Sequence, residues 1–205
     1  MKNFFLILSI IIICGNVSCS QTPKGIDPTS LYSLQLPDDL DLFAIIEKDT
    51  IFAKKYNCEF IKAQYPPDSE KYLRMTATND TIENIFRYIA IYQKEKYSDA
   101  LEQYISQRNV YQSWAAKKIY EEKTKNKNSY FIVYERTQIN YNHGIPCGTF
   151  SPTNLNLHFL LNKYNISISY SDVRTKKEER NYIQDINNDI ILASKFFTDI
   201  LNQKQ

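Results

Sequence analysis

A chain of 205 residues with 25 basic and 23 acidic side chains has a net charge of only +2, which leaves no electrostatic footprint for nucleic acid. Sixteen Tyr and eleven Phe against four Gly exclude a disordered or collagen-like chain and point to an aromatic-rich globular interior. The length suits a single domain whose core buries roughly 70% of the surface of the unfolded chain.

The first segment carries an address. Lys2 begins the charge of the chain, residues 4–13 are apolar but for Ser9, and Val17-Ser18-Cys19-Ser20 follows. Such a run has the length of a signal-peptide core and falls short of the roughly 20 residues that a membrane-spanning helix needs. Two cleavage sites compete. The small residue ahead of Cys19 resembles the signal of bacterial secretory lipoproteins, although Asn16 stands where that pattern prefers Leu. The resemblance covers residues 1–20 alone. It implies a signal peptide at 1–18, lipid attachment at Cys19, and an exported protein held at a membrane of the cell envelope, facing the periplasm. A conventional cut between Ser20 and Gln21 would instead release a soluble exported protein. Lys2 is the one charged residue before Cys19, so removal of the signal takes the net charge from +2 to +1.

Cys14 leaves with the signal and Cys19 takes the lipid, which leaves Cys58 and Cys147. In an oxidising compartment two remaining thiols in one domain most simply form a disulfide, the alternative being two separately buried thiols.

Residues 19–30 contain Pro23, Gly25 and Pro28 with little apolar content and read as a flexible tether, ahead of a single α+β domain over 31–205. Apolar or β-branched runs at 42–46 and 51–56 flank Glu47-Lys48-Asp49-Thr50 and predict a hairpin. Residues 58–64 would add a third strand, stopped by Pro66-Pro67, which cannot donate to a ladder. The period then changes. Asp80 and Glu83 have capping-box spacing, and Ile82, Ile85, Phe86 and Ile89 recur at helical intervals, predicting a helix over 81–95. Ser98 is placed to cap a second helix with Ala100, Leu101, Tyr104 and Ile105. A third over 109–124, through Val110, Trp114 and Ile119, completes a helical insertion at about 80–125 that ends at Asn126.

Within that insertion Ile89-Ala90-Ile91-Tyr92, Lys96-Tyr97, Ala100-Leu101 and Tyr104 resemble the helix-turn-helix spacing of a tetratricopeptide unit. One copy is present where about three are needed for a stacked array, so an ordinary helical hairpin packed on the sheet is the expectation. Beyond it, 130–134 is a continuous apolar run suited to a buried strand. A loop around Asn142, His143, Gly144, Cys147 and Gly148 follows, and Ser151-Pro152 opens a predicted short helix to 163. Residues 166–171 alternate strictly, as in a strand with one wet face. Ile183, Ile186, Ile190, Ala193, Phe197 and Ile200 form the apolar stripe of a helix docked on the core. The layout is α+β: a mostly antiparallel sheet with a helical insertion and a C-terminal helix packed on one side.

Chemistry is narrowed by elimination. His143, Cys147 and His158 are too few for a metal site. Cys147 with His143 or His158 and Asp172 supplies the residue types of a thiol nucleophile, but a disulfide to Cys58 accounts for the same cysteine. Gly144 and Gly148 lack the Lys-Ser or Lys-Thr of a phosphate loop, and no cofactor is expected. The carboxylate pairs Asp38-Asp39, Glu121-Glu122 and Glu178-Glu179 fall on segments expected to be solvated. What survives is a membrane-anchored, non-enzymatic module that binds another envelope or secreted protein, of scaffold or toxin-immunity type. The alternative is a periplasmic hydrolase of cell-wall or peptide substrates. Tyr92, Tyr97, Tyr104 and Tyr111 are the candidate partner-binding residues, because a tyrosine ring offers contact area and its hydroxyl a hydrogen bond; a core role is the competing assignment.

Overall fold

The computed structural model describes residues 25–62, 71–76, 85–113, 118–136, 153–172 and 182–203. Three short helices come first: α1 (Thr29–Tyr32), α2 (Leu42–Lys48) and α3 (Thr50–Lys55). Strands β1 (Cys58–Lys62), β2 (Lys71–Met75) and β3 (Ile85–Gln93) lead to helix α4 (Tyr97–Ser113). Strands β4 (Lys118–Lys125), β5 (Asn128–Arg136), β6 (Thr153–Leu161) and β7 (Tyr164–Asp172) precede the C-terminal helix α5 (Tyr182–Gln203). The strands form one antiparallel sheet in the order β1-β2-β3-β7-β6-β5-β4, so the fold is α+β. Among the described residues, no helix is long and apolar enough to cross a membrane.

Alternation along the strands sorts side chains onto two faces. Leu73, Ile89, Ile91, Tyr130, Ile132, Leu155, Leu157, Phe159, Ile166 and Ile168 enter the main core beneath Ile186, Ile190, Ala193, Phe196, Phe197 and Ile200 of α5. Leu31, Leu42, Ile46 and Phe52 of α1 to α3 close the same side. The irregular stretch between α1 and α2 is stitched down by two buried amides and a phenol. Asn128 Nδ2 donates to the carbonyls of Tyr32 and Leu34, Asn162 Nδ2 to that of Leu36, and the Tyr164 hydroxyl to that of Leu40 at 2.6 Å. On the opposite face α4 covers a smaller cluster made of Ala100, Tyr104, Phe131, Val133 and Leu160. The sheet therefore has α5 on one side and the inserted helix on the other.

Several expectations are corrected. The hairpin over 42–56 is a pair of helices, because Asp41 and Asp49 are N-caps: their carboxylates accept from the amides of Ala44 at 3.1 Å and Phe52 at 2.8 Å. The helix over 81–95 is strand β3 from Ile85 onward. It is flanked by β2 and β7, and its apolar residues face both sides, so a buried strand imitates helical spacing. Ile89 to Tyr92 are then extended, which removes the tetratricopeptide-like hairpin. The second and third expected helices are one, α4, which ends at Ser113, and the remainder of 109–124 supplies edge strand β4. The short helix after Ser151-Pro152 is β6, in which Leu155, Leu157, Phe159 and Leu161 alternate with Asn154, Asn156, His158 and Leu160. The β4–β5 and β6–β7 hairpins each turn through two residues whose first is a left-handed Asn, Asn126 at φ 57° and Asn162 at φ 53°.

The tether expected over 19–30 is docked in its last part. Asn187 Nδ2 donates to the Gly25 carbonyl at 2.8 Å, the Asp27 amide donates to Asn187 Oδ1 at 3.0 Å, and Ser194 donates to the Ser30 carbonyl. The signal segment with Cys19, the prolines Pro66 and Pro67, the capping pair Asp80 and Glu83, and the loop with His143 and Cys147 lie outside the described residues. So does the disulfide expected between Cys58 and Cys147.

Candidate binding face

The side of the sheet that carries α4 is only partly covered by it. Among the described residues the face is left open toward β2, β3 and the end of β7, and register identifies what it displays. Tyr88 pairs with Ser169, which pairs with Asn156; Ala90 pairs with Ser167; Arg74 pairs with Ala90. A strip of Ser167, Ser169, Ser171, Asn154 and Asn156 thus lies beside a row of tyrosines. Tyr88 is 38% exposed. The half-buried rings of Tyr72 and Tyr92 stack with centroids 5.0 Å apart. Arg74 Nε donates to Glu59 Oε1 at 2.7 Å, and Ser171 donates to Asn154 at 2.6 Å, so charges and hydroxyls are already held in place. Prearranged rings and small polar groups of this kind suit recognition of a partner.

The four candidate tyrosines separate on this frame. Tyr92 belongs to the open face. Tyr104 is 3% exposed, with its ring edge-on to Phe131 at 5.2 Å, so it is a core residue. Tyr97 packs on the small cluster, with the Lys127 ammonium 5.9 Å from its ring centroid. Tyr111 leans on Phe131 and His158 at the border of the face, and burial pushes its phenol above the ordinary range. Tyr72, Tyr88 and Arg74 were not anticipated. The alternation at 166–171 did announce the serine strip, but the tyrosines beside it become neighbours only when 85–93 is recognised as a strand.

Of the groups considered for catalysis, Cys147 and His143 lie outside the described residues. His158 is buried beneath α4, its ring stacked 4.7 Å from Phe131, and burial lowers its pKa to about 3. A base needs contact with substrate, and both ring nitrogens of His158 are buried. Cys58 lies on the other face, its Sγ 3.7 Å from the Tyr56 carbonyl, and burial pushes its thiol up to about 12. Among the described residues there is no group of three or more His, Cys, Asp or Glu placed to hold a metal ion.

A second feature sits at the opposite face, where a cleft of about 230 Å³ opens between α3, β2 and α5. Its floor is an ion pair. Arg87 of β3, with a side chain 9% exposed, grips Asp189 of α5 through Nε–Oδ2 at 2.5 Å and NH2–Oδ1 at 2.7 Å. The same guanidinium donates to the Asp185 carbonyl at 3.0 Å. On the α3 side Tyr56 and Lys55 donate to Asp199, and Asn57, in the left-handed region at φ 48°, reaches Thr76. Every one of these polar groups is answered from within the chain, which marks the cleft as a structural junction.

No protein-family model matches the chain, and neither a curated protein nor a solved structure matches it.

Proposed function

We propose that this chain is a lipid-anchored protein of the cell envelope that acts by binding another protein, as a scaffold or a toxin-immunity factor, and performs no catalysis of its own. The observation that supports this is the open sheet face, where Tyr72, Tyr88 and Tyr92 stand beside Arg74 and the Ser/Asn strip. Tyr and Arg are the residues most enriched where binding energy concentrates, and a preformed strand surface loses little entropy on association. An envelope or secreted protein is the partner class that export implies. Capture of a secreted toxin would assign the immunity type, and capture of an assembly component the scaffold type.

The test is a pull-down from membranes with the native anchor intact, followed by affinity measurements on single variants. Tyr88→Ala and Tyr92→Ala should each weaken the captured complex, by more than about 1 kcal/mol for a true hot spot. Tyr104→Phe should leave it unchanged, because that hydroxyl is in the core. Loss of biological activity on His143→Ala, with folding and partner binding intact, would overturn the binding assignment in favour of the hydrolase.

The anchor has its own test. Ser18-Cys19 after a short apolar core supports lipidation, so the protein should incorporate labelled fatty acid and lose the label in Cys19→Ala. A soluble chain that begins at Gln21 would overturn this part of the proposal.

A further inference from the structure

Helix α4 is docked separately from the rest of the molecule. It meets the sheet through Ala100 and Tyr104, with Tyr97, Leu101 and Tyr111 at the margins, over Phe131, Val133 and Leu160. A polar clamp supplements this, Asn165 Nδ2 donating to the Ala100 carbonyl at 2.9 Å and to Gln103 Oε1 at 2.7 Å. Ile105 and Val110 on its outer side are 44% and 46% exposed. The large core under α5 lies across the sheet and shares none of these contacts. Beneath α4 sits His158, between the rings of Phe131 at 4.7 Å and Tyr111 at 5.1 Å. Both of its nitrogens are buried and without a hydrogen-bond partner among the described residues. A neutral imidazole presents one donor and one acceptor, and here both go unanswered.

We propose that α4 is an acid-released latch: protonation of His158 requires water, and the helix lifts off the sheet to admit it while the α5-side core stays folded. The direction follows from linkage. His158 is held neutral in the closed state down to about pH 3, whereas a solvated imidazole takes its proton at about 6.5. Any state that solvates the ring therefore gains on the closed state as pH falls below 6.5, about tenfold in population per pH unit. Lifting α4 is the least costly such state because it opens the small cluster and the Asn165 clamp and spares the larger core across the sheet. The rings against His158, those of Phe131 and Tyr111, are uncharged and do not offset this. The inner side of α4 brings Tyr104, Arg108 and Tyr111; Tyr88 comes from β3, and Ser167 is its partner on β7.

Amide hydrogen exchange on the full chain tests the latch. After correction for the intrinsic exchange rate, amides of 97–113 should open more often than those of 182–203. Their opening should depend only weakly on denaturant and should rise about 100-fold between pH 7.5 and 4.5. In His158→Phe, or His158→Leu if the first variant does not fold, α4 should open to the same extent at both pH values. One opening constant shared by α4 and α5 would mean that the helix leaves only on global unfolding and would overturn the proposal. So would a pH rise that survives in the His158 variants, which would assign the effect to other titratable groups.

Discussion

Asp189→Ala should lower the unfolding free energy by about 3 to 5 kcal/mol, the cost of leaving a buried cation without its partner. Asp189 is 2% exposed, and it supplies both oxygens that hold the Arg87 guanidinium. The remaining contacts of Arg87 to Asp185, a carbonyl at 3.0 Å and a carboxylate oxygen at 3.4 Å, are too few to replace two short charged bonds. The double variant Arg87→Met with Asp189→Leu should recover most of that loss, since two apolar groups of similar volume owe no desolvation. Urea unfolding of the parent and the two variants measures this. A single variant within about 0.5 kcal/mol of the parent would show that water reaches the pair through the adjoining cleft. The pair joins the start of β3 to the first turns of α5, so its loss should also loosen the helix first at that end.

The second large effect is expected in the main core. Phe196 is fully buried, with ring centroids 5.6 Å from Phe52, 5.2 Å from Tyr56 and 5.4 Å from Phe197. Removing its ring leaves a cavity between α3 and α5 that rigid neighbours on three sides cannot fill, so Phe196→Ala should cost about 3 to 5 kcal/mol. Ile191 of the same helix is 58% exposed, and Ile191→Ala should stay within about 0.5 kcal/mol of the parent. Equal melting temperatures for the two variants would mean that α5 does not dock on the face described.

Both effects depend on contacts between residues more than 100 positions apart, and such contacts set the limit of what could be read from the sequence. The stripe from Ile183 to Ile200 predicted α5 correctly, because a helix with one wet side repeats its apolar residues every three or four positions. Residues 166–171 were equally legible as β7, because strict alternation has no helical counterpart. β3 and β6 were misread for the same reason reversed. Ile89, Ala90 and Ile91 are buried on both sides of the sheet, so their burial has no period to detect. In β6 the alternation of Leu155, Leu157 and Phe159 was present but was outweighed by a proline in the apparent first turn. At 42–56 the informative residues were polar ones: Asp41 and Asp49, as caps, outweighed the β-branched side chains that follow them.

The binding face shows the same division. Composition and spacing were enough to expect an α+β domain with an antiparallel sheet and a docked C-terminal helix, because each of those rests on a local period. They were also enough to expect an export signal and an aromatic-rich chain. Which tyrosines line a surface was decided only in three dimensions. Tyr104 and Tyr92 look alike in sequence, each flanked by one Ile and one Gln, yet one is turned into a cluster with Phe131 and the other stacks on Tyr72 beside a serine strip. The reason is physical: a side chain's exposure depends on what strand pairing brings opposite it, and β3 is seated between β2 and β7 by partners before and far beyond it in the chain.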